Sequence, residues 1–362
     1  MSEVTLGAVV SLAEAADMVE HIGPNLSYIF QGEMGIGKSA ILQTLSTRPS
    51  LSGYRFVYAE TQTFDVGDVS GCPFTELING VKVTRFAPNI LTGVHEDKPI
   101  IFMADEVGKA MRPVQNSMLR LFQSHKIGEY SLPVVNGVSS IVFGTTNLAV
   151  EGLGDHVQQH AQNRVSMVEV RKPNALEWIV WAMANGIHPI LIAWVKKFQH
   201  CLASHRDGEG NPYIAYPSKT HGAFVSPRSL ENASHTLWAR GKVTENAIVA
   251  TLRGCVGAAA AADIMTFVQT FDRLPTWEAT IADPAGCMVP SAQDFAANYV
   301  TVFSGIQLVD KATMGPFITY LKRLPKEYQG VFALNILASP KRHIALANRP
   351  FIVWSTDNTW MV

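Results

Sequence analysis

Residues 28–42 of the 362-residue chain read YIFQGEMGIGKSAIL. An apolar run comes first, a segment with three glycines follows, and a second apolar run begins directly after Lys-Ser. Residues 32–39 match the pattern G-x-x-x-x-G-K-[ST], in which flexible glycines let backbone N–H groups surround a phosphate at the start of a helix. We therefore expect a β-strand, a phosphate-binding loop and an α-helix in that order.

The loop also predicts which atoms would contact a nucleotide. Lys38 would reach the outer phosphates, and the Ser39 hydroxyl would ligate magnesium. We expect ATP and Mg²⁺ as cofactors. The predicted nucleotide-contacting residues of the loop are Gly32, Glu33, Met34, Gly35, Ile36, Gly37, Lys38, Ser39 and Ala40. The alternative interpretation, a glycine turn with an exposed lysine, is disfavoured by a second motif further along the chain.

This second motif spans residues 98–106, KPIIFMADE, where an apolar strand ends in two acids. Open parallel sheets bind ligands at the edge formed by the carboxyl ends of their strands. Asp105 would hold magnesium through water, and Glu106 would polarise the water that attacks the γ-phosphate. Asn147 ends the next predicted strand and would orient that water. Each of these residues alone is also typical of a turn after a strand, so the predicted roles depend on the upstream loop.

The order of elements predicts an α/β fold, the three-layer αβα parallel sheet of P-loop NTPases. Strand-like runs and helical segments alternate in the first half, as in a parallel sheet covered by helices. We expect strands at residues 27–31, 54–59, 100–104, 139–145 and 165–170. After residue 172 the patterns are helical, at 175–184, 189–203, 226–241, 244–271, 291–303, 312–324 and 326–338. Two domains follow: a nucleotide-binding core at 1–172, and a mostly α-helical lid and C-terminal region at 173–362.

Composition excludes several classes of protein. Hydrophobic residues make up 47% of the chain and charged residues 16%, so there is ample apolar surface for a core. The formal net charge is −1, which provides no overall attraction to nucleic acid or anionic lipid, although it does not exclude a local basic groove. The four cysteines are far apart, the weakly polar run 254–269 is too short to span a bilayer, and the first 22 residues lack a secretory-signal pattern. We expect a cytoplasmic protein that does not insert into membranes.

The two motifs and their surroundings resemble the AAA+ superfamily, specifically its MoxR-like branch of bacterial or phage type, to which the CbbQ and NorQ activators belong. Residues 105–110 and 113–119, DEVGKA and PVQNSML, echo the family run Asp-Glu-Ile-Asn-Arg-Ala followed by a proline and Val-Gln-Asn-Ala-Leu-Leu. Residues 68–71 resemble the family's Ser-Asp-Ile-Thr-Gly stretch. Gly108 and Lys109 depart from the family, which usually has Asn and Arg there.

The resemblance implies roles for two arginines. Arg164 lies in a match to the family's Asp-Arg-Phe element and would be an arginine finger that reaches a neighbouring subunit's nucleotide. The plainer alternative is a helix-end arginine paired with a local acid. Arg228 lies in a segment similar to the sensor 2 element and would contact the γ-phosphate from the lid. Arg112 and Arg120 are weaker candidates for a contact between subunits.

The resemblance further implies a homo-hexameric ring that uses ATP hydrolysis to remodel a protein client. MoxR-like ATPases commonly act with a partner that carries a von Willebrand factor A domain, which we expect to be a separate chain. Residues 74–96 would hold the family's inserted helix or hairpin. Two alternatives stay open: a nucleic-acid motor or helicase loader, and a nucleotide-gated scaffold with negligible hydrolysis. His156 and His160 have helical spacing for a metal, but no third ligand is near them in sequence, so zinc is not favoured.

Overall fold

A computed structural model describes residues 9–148, 165–217 and 222–358. The chain divides into two compact units, Met1–Lys172 and Pro173–Val362. No helix among the described residues is long and apolar enough to cross a bilayer.

The first unit contains strands and helices in alternation. Its strands are β1 (Val9–Val10), β2 (Tyr28–Gly32), β3 (Arg55–Glu60), β4 (Cys72–Ile78), β5 (Val81–Ala87), β6 (Ile100–Asp105), β7 (Lys126–Ile127), β8 (Tyr130–Ser131), β9 (Val134–Val135), β10 (Val138–Ser139), β11 (Ile141–Asn147) and β12 (Ser166–Val170). Its described helices are α1 (Leu12–His21), α2 (Ala40–Ser46), α3 (Val66–Ser70) and α4 (Arg112–Ser124).

Six of the described strands form one parallel sheet in the order β1-β12-β2-β11-β6-β3. Strand β11 therefore lies between the strand that precedes the phosphate loop and the strand that ends at Asp105. Because all six strands are parallel, their carboxyl ends meet at one edge. This edge brings the ends of the two sequence motifs together.

Helices cover both faces of this sheet. Phe30 and Met103 point to the face where α1 and α2 pack, whereas Ile29 and Phe102 point to the face where α4 packs. The two central strands β6 and β11 are buried along their whole length, because both of their faces are covered. The predicted three-layer α/β class is confirmed.

All five predicted strands are present, with ends that differ by one or two residues. The sequence patterns did not reveal β1 or α1, a helix that begins with a capping box between Ser11 and Glu14. The expected insertion near residues 74–96 contains a hairpin, β4–β5, joined by Asn79 and Gly80, which both have positive φ. This is the backbone that two-residue hairpin turns favour.

In the second unit every described secondary-structure element is helical. The helices are α5 (Ala175–Ala184), α6 (Pro189–Lys197), α7 (Pro227–Trp238), α8 (Glu245–Val256), α9 (Ala258–Phe271), α10 (Trp277–Ala282), α11 (Phe295–Leu308), α12 (Met314–Leu321), α13 (Lys326–Ala338), α14 (Arg342–Leu346) and α15 (Arg349–Thr356). Large aromatic side chains fill the core, among them Trp178, Trp194, Phe317, Phe332 and Trp354.

Two features of this unit differ from the sequence predictions. The predicted helix 244–271 is two helices, α8 and α9, separated by Gly257, whose φ of +86° lies outside the helical region. The predicted helix 189–203 ends at Lys197 and continues as a short 3₁₀ turn. At the C-terminal end of the described residues, Trp354 of α15 packs in the core of its own unit.

Candidate active site

The phosphate loop runs from the end of β2 to the start of α2, and its three glycines meet two kinds of backbone requirement. Gly35 and Gly37 have φ values of +75° and +103°, a region that favours glycine. Gly32 is restricted by space instead, since a Cβ there would lie 2.5 Å from the carbonyl oxygen of Val170. The motif's glycines are therefore needed by the loop conformation itself.

Lys38 lies inside this loop and is only 8% exposed. Its ammonium donates to the carbonyl oxygens of Gly32 at 2.7 Å and Glu33 at 2.8 Å, and to Asn147 Oδ1 at 2.9 Å. The first two acceptors belong to the loop, and the third belongs to the end of β11. The adjacency of β2 and β11 thus joins the phosphate-loop lysine to the strand-end asparagine.

The Asp105 carboxylate is buried and accepts hydrogen bonds at both oxygens. Oδ2 accepts from the Ser39 hydroxyl at 2.8 Å and from the Tyr58 hydroxyl at 2.7 Å. Oδ1 accepts from the Thr145 hydroxyl and from the Glu106 backbone N–H, the latter at 3.1 Å. Side chains from β3, β11 and the loop therefore converge on the last residue of β6.

Asn147 is 5% exposed and uses only one side of its amide. Its Oδ1 accepts from Lys38, but its Nδ2 is buried and has no hydrogen-bond partner among the residues that the structure describes. A buried donor left without a partner costs about 1–3 kcal/mol. The amide is thus ready to donate to a phosphate oxygen or to a water beside Lys38.

Glu106 has an unusual backbone. Its φ of +54° and ψ of +40° lie in the left-handed region, where a side chain other than that of glycine is strained. Backbone strain of this kind is concentrated at functional sites. Its carboxylate accepts a hydrogen bond from Lys109 Nζ at 2.8 Å, and both side chains are partly exposed. Lys109 is one of the two positions where the sequence departs from the MoxR-like pattern.

Most of the predicted site residues come together at this edge. Lys38 contacts Asn147, Ser39 contacts Asp105, and Glu106 follows Asp105 in the chain. Of the other loop residues, the Ile36 side chain is buried in the core beneath the sheet, Met34 is exposed, and Ala40 is the first residue of α2.

Two arginines were also predicted to contact a nucleotide. Arg164 lies outside the described residues, as do His156 and His160. Arg228 is exposed in the first turn of α7, which begins with a capping box formed by Ser226 and Ser229. Among the described residues, no group of three or more His, Cys, Asp or Glu side chains could hold a metal ion.

Sequence reasoning missed three contributors to the site: Tyr58, Thr61 and Thr145. The Thr61 hydroxyl donates to the backbone carbonyl of Asp105 at 2.7 Å. Burial, followed by the hydrogen bond to Asp105, raises the pKa of Tyr58, so its phenol stays protonated as a donor at neutral pH. Their positions at the carboxyl ends of neighbouring strands were the available signal.

The residues present fit a magnesium nucleotide. A hydroxyl and a carboxylate are the oxygen donors that Mg²⁺ prefers in proteins, and they are joined here at Ser39 and Asp105. The loop conformation leaves backbone N–H groups at the start of α2, and Asn147 supplies an unpaired donor. The sheet order and this loop define the class of fold, an α/β P-loop fold.

Comparison with known proteins identifies no particular family. No protein-family model matches the chain. No curated protein matches it either. Among solved structures, the chain is similar to NtrX from Brucella abortus in complex with ADP, with 15% identity, a TM-score of 0.39, and coverage of 100% of this chain and 69% of that one. The ATP complex of the same protein gives 15% identity, a TM-score of 0.37, and coverage of 98% and 69%. Likenesses this remote leave the function to be argued from the site.

Proposed function

We propose that the chain is a magnesium-dependent ATP hydrolase of the AAA+ type. The observation that carries the proposal is the junction of the two motifs at the sheet edge. There Lys38 contacts Asn147, Ser39 contacts Asp105, and the Asn147 amide keeps a buried donor that no described residue pairs with. This combination is suited to phosphoryl chemistry, which needs positioned donors and a metal site more than covalent catalysis.

Different groups of the chain would bind the phosphates and the metal ion. The N–H groups of residues 32–40 and the Lys38 ammonium would contact the phosphates. Ser39 would ligate Mg²⁺ directly and Asp105 would hold it through water. When bound, Mg²⁺ would offset the negative charge of the phosphate oxygens. Lys38 would exchange its carbonyl acceptors in the loop for phosphate oxygens.

Glu106 and Asn147 would activate and orient the attacking water. Glu106 would accept its proton, which requires that a carboxylate oxygen be free of Lys109. Asn147 Nδ2 would donate to the water or to the γ-phosphate, because it is a buried donor without a partner among the described residues. The left-handed backbone of Glu106 fixes the direction in which its carboxylate leaves the strand.

The finer proposal is a MoxR-type motor or chaperone. It would form a homo-hexameric ring in which Arg164 acts on the neighbour's nucleotide and Arg228 acts in its own subunit. It would remodel a separate client, or a partner with a von Willebrand factor A domain, in the cytoplasm. The support is the similarity of residues 105–119 to the MoxR-like run, together with a hairpin in the segment where that family has an insertion.

The test compares wild type with Glu106→Gln and with the control Glu60→Gln. Glu60 is an exposed acid at the end of β3, paired in register with Asp105. General-base catalysis contributes about 10²–10⁴-fold, so Glu106→Gln should lose turnover by about a hundredfold or more while it still binds Mg-ATP. Glu60→Gln should hydrolyse ATP like wild type. Equal turnover in Glu106→Gln would remove Glu106 from this role.

The same Glu106→Gln protein tests the ring. Light scattering with Mg-ATP should give the mass of a hexamer, and without nucleotide a smaller mass. If Glu106→Gln stays monomeric with Mg-ATP while the wild-type protein hydrolyses ATP, a role in trans for Arg164 is contradicted. Strong stimulation of wild-type hydrolysis by single-stranded DNA, lost in added salt, would instead favour a nucleic-acid motor.

A further inference from the structure

Asp105 Oδ2 is the oxygen on which the proposed metal site depends, and two hydroxyl groups already donate to it. Ser39 donates from the phosphate loop at 2.8 Å, and Tyr58 donates from β3 at 2.7 Å. The other oxygen, Oδ1, accepts from Thr145 and from the Glu106 N–H. An ionised carboxylate offers about four acceptor positions, so all of them are in use.

Three of these four donors can stay in place when a metal ion binds. Ser39 can keep its proton on Asp105 while its oxygen lone pairs face the ion. Thr145 lies on the buried strand β11, and the Glu106 N–H is held by the backbone. None of these contacts has to break for the carboxylate to receive a metal-bound water.

Tyr58 is the exception. It lies on β3, one of the two edge strands of the described sheet, and the residue is 52% exposed, so its ring has room to swing into solvent. Its phenol occupies an acceptor position on the same oxygen as Ser39. A water on the metal would need an acceptor position of this kind.

We propose that Tyr58 is a positioning residue that covers the magnesium-binding oxygen of Asp105 and is displaced when the metal ion enters with its nucleotide. This inference rests on the proposed function. The phenol acts as a stand-in for a metal-bound water: it satisfies the buried carboxylate in the free protein and competes with the divalent cation for it. Tyr58 touches neither phosphate nor attacking water in this role.

Competition and a merely structural role predict opposite changes in metal affinity when the Tyr58 hydroxyl is removed. A tyrosine that only supported the carboxylate would weaken metal binding when its hydroxyl is removed. A competing hydroxyl strengthens metal binding when removed, by about three- to tenfold, the usual net value of one hydrogen bond. Nucleotide affinity without a metal ion should not change in either case.

The experiment uses the full chain as wild type, Tyr58→Phe and Tyr54→Phe. Tyr54 is a matched control because its hydroxyl donates at 3.2 Å to the backbone carbonyl of Ser139, away from Asp105. Mn²⁺ is the probe, and the electron paramagnetic resonance signal of the free ion gives its affinity in the presence of saturating ADP. ADP affinity is also measured in EDTA.

The expected result is Mn²⁺ binding about three- to tenfold tighter in Tyr58→Phe, with Tyr54→Phe within about twofold of wild type. ADP affinity in EDTA should be the same in all of the proteins. Tyr58→Leu, which removes the exposed ring as well, should also tighten Mn²⁺ binding. Unchanged or weaker Mn²⁺ binding in both Tyr58 variants would overturn this inference but not the proposed function. If wild type with ADP does not bind Mn²⁺, the proposed function fails and this inference fails with it.

Discussion

The buried polar side chains of the two units serve different purposes. At the sheet edge of the first unit they bond to one another, in the pairs Lys38–Asn147 and Ser39–Asp105. In the second unit, His188 accepts from the backbone N–H of Ile190 and so caps α6. There too, Ser226 caps α7, and Gln329 donates to the carbonyl oxygens of Lys322 and Leu324.

This difference indicates which buried polar side chains belong to a functional site. A buried polar group is costly unless it is hydrogen-bonded, and a group that bonds to nearby backbone offsets its cost by holding a helix end or a turn. At the sheet edge, side chains from separate elements converge on one another at the carboxyl ends of the strands, an arrangement that supports no single helix end or turn. The sheet edge is therefore the site, and the helical unit is organised by packing and capping.

The chain offers separate reporters for the two units. All seven tryptophans lie between residues 178 and 360, so tryptophan fluorescence follows the second unit. Binding of a fluorescent nucleotide analogue follows the first. These two reporters measure four expected effects, which decrease in size from the first to the last.

The largest effect should come from Phe332→Ala in the second unit. Phe332 is fully buried and its ring lies 5.3 Å from that of Phe317 and 6.4 Å from that of Trp354. We expect the free energy of unfolding of this unit to fall by about 3–5 kcal/mol, from lost burial and a cavity. Denaturant unfolding followed by tryptophan fluorescence measures it. The exposed Phe295→Ala is the control, and a loss below about 1 kcal/mol at Phe332 would contradict packing as the main source of stability.

The second prediction concerns pH. Burial, with a smaller contribution from the charge of Arg240, lowers the pKa of His188 from 6.5 to about 4. Above pH 6.5 the residue is neutral in both states; below it, the unfolded chain takes up a proton that the folded chain refuses. The free energy of unfolding of the second unit should therefore fall by up to about 3 kcal/mol as the pH drops from 6.5 to 4.

His188→Asn is the matched variant, because asparagine can still cap α6 but does not titrate. The same fluorescence-detected unfolding, repeated between pH 7 and 4, should show a shallower pH dependence in the variant. Identical slopes for the two proteins would remove His188 as the source.

The third prediction concerns the backbone of the phosphate loop. Gly32→Ala would place a Cβ 2.5 Å from the carbonyl oxygen of Val170 and 2.8 Å from Ile36 Cδ1. Overpacking of this kind costs about 1–3 kcal/mol, and the displaced loop should bind the nucleotide analogue more weakly. Gly53→Ala, which has no atom within 4 Å of its added Cβ, should bind as wild type does. Unimpaired binding by Gly32→Ala would show that the loop does not depend on this contact.

The smallest effect should come from Ser226→Ala. The Ser226 hydroxyl accepts from the Ser229 N–H at 3.2 Å and caps α7, and loss of an N-cap costs about 1 kcal/mol. Denaturant unfolding of the second unit measures this cost. Ser117→Ala, whose hydroxyl bonds within α4 in the other unit, should leave the tryptophan-detected transition unchanged. A shift equal in both variants would mean that the assay does not separate the units.

The sequence predicted what local chemistry determines. The loop was readable because three glycines, a lysine and a serine stand at fixed spacing between two apolar runs. Asp105 and Asn147 were readable because strand-end acids and amides in a parallel sheet share one edge. The helices predicted at 175–184 and 226–241 begin next to the capping side chains of Asn174 and Ser226, which are also local features.

The remainder depends on contacts between residues far apart in sequence. Tyr58 reaches Asp105 only because β3 pairs with β6, and no local pattern marks that pairing. The break at Gly257 lies at a φ of +86°, close to the Ala223 carbonyl, and the apolar periodicity of 244–271 does not reveal it. Lys109 follows Glu106 closely in the chain, yet neither their ion pair nor the left-handed backbone of Glu106 was predicted from the sequence.

A nucleotide site at this sheet edge is tested most directly by phosphate release from ATP in wild type, Lys38→Met and the control Lys82→Met, each with Mg²⁺ and with EDTA. Lys82 is an exposed lysine on the β5 hairpin strand. We expect Mg²⁺-dependent turnover in wild type and Lys82→Met, and a loss of about a hundredfold or more in Lys38→Met. Turnover that survives in Lys38→Met, or a wild type that neither binds nor hydrolyses ATP, would contradict a nucleotide site at this sheet edge.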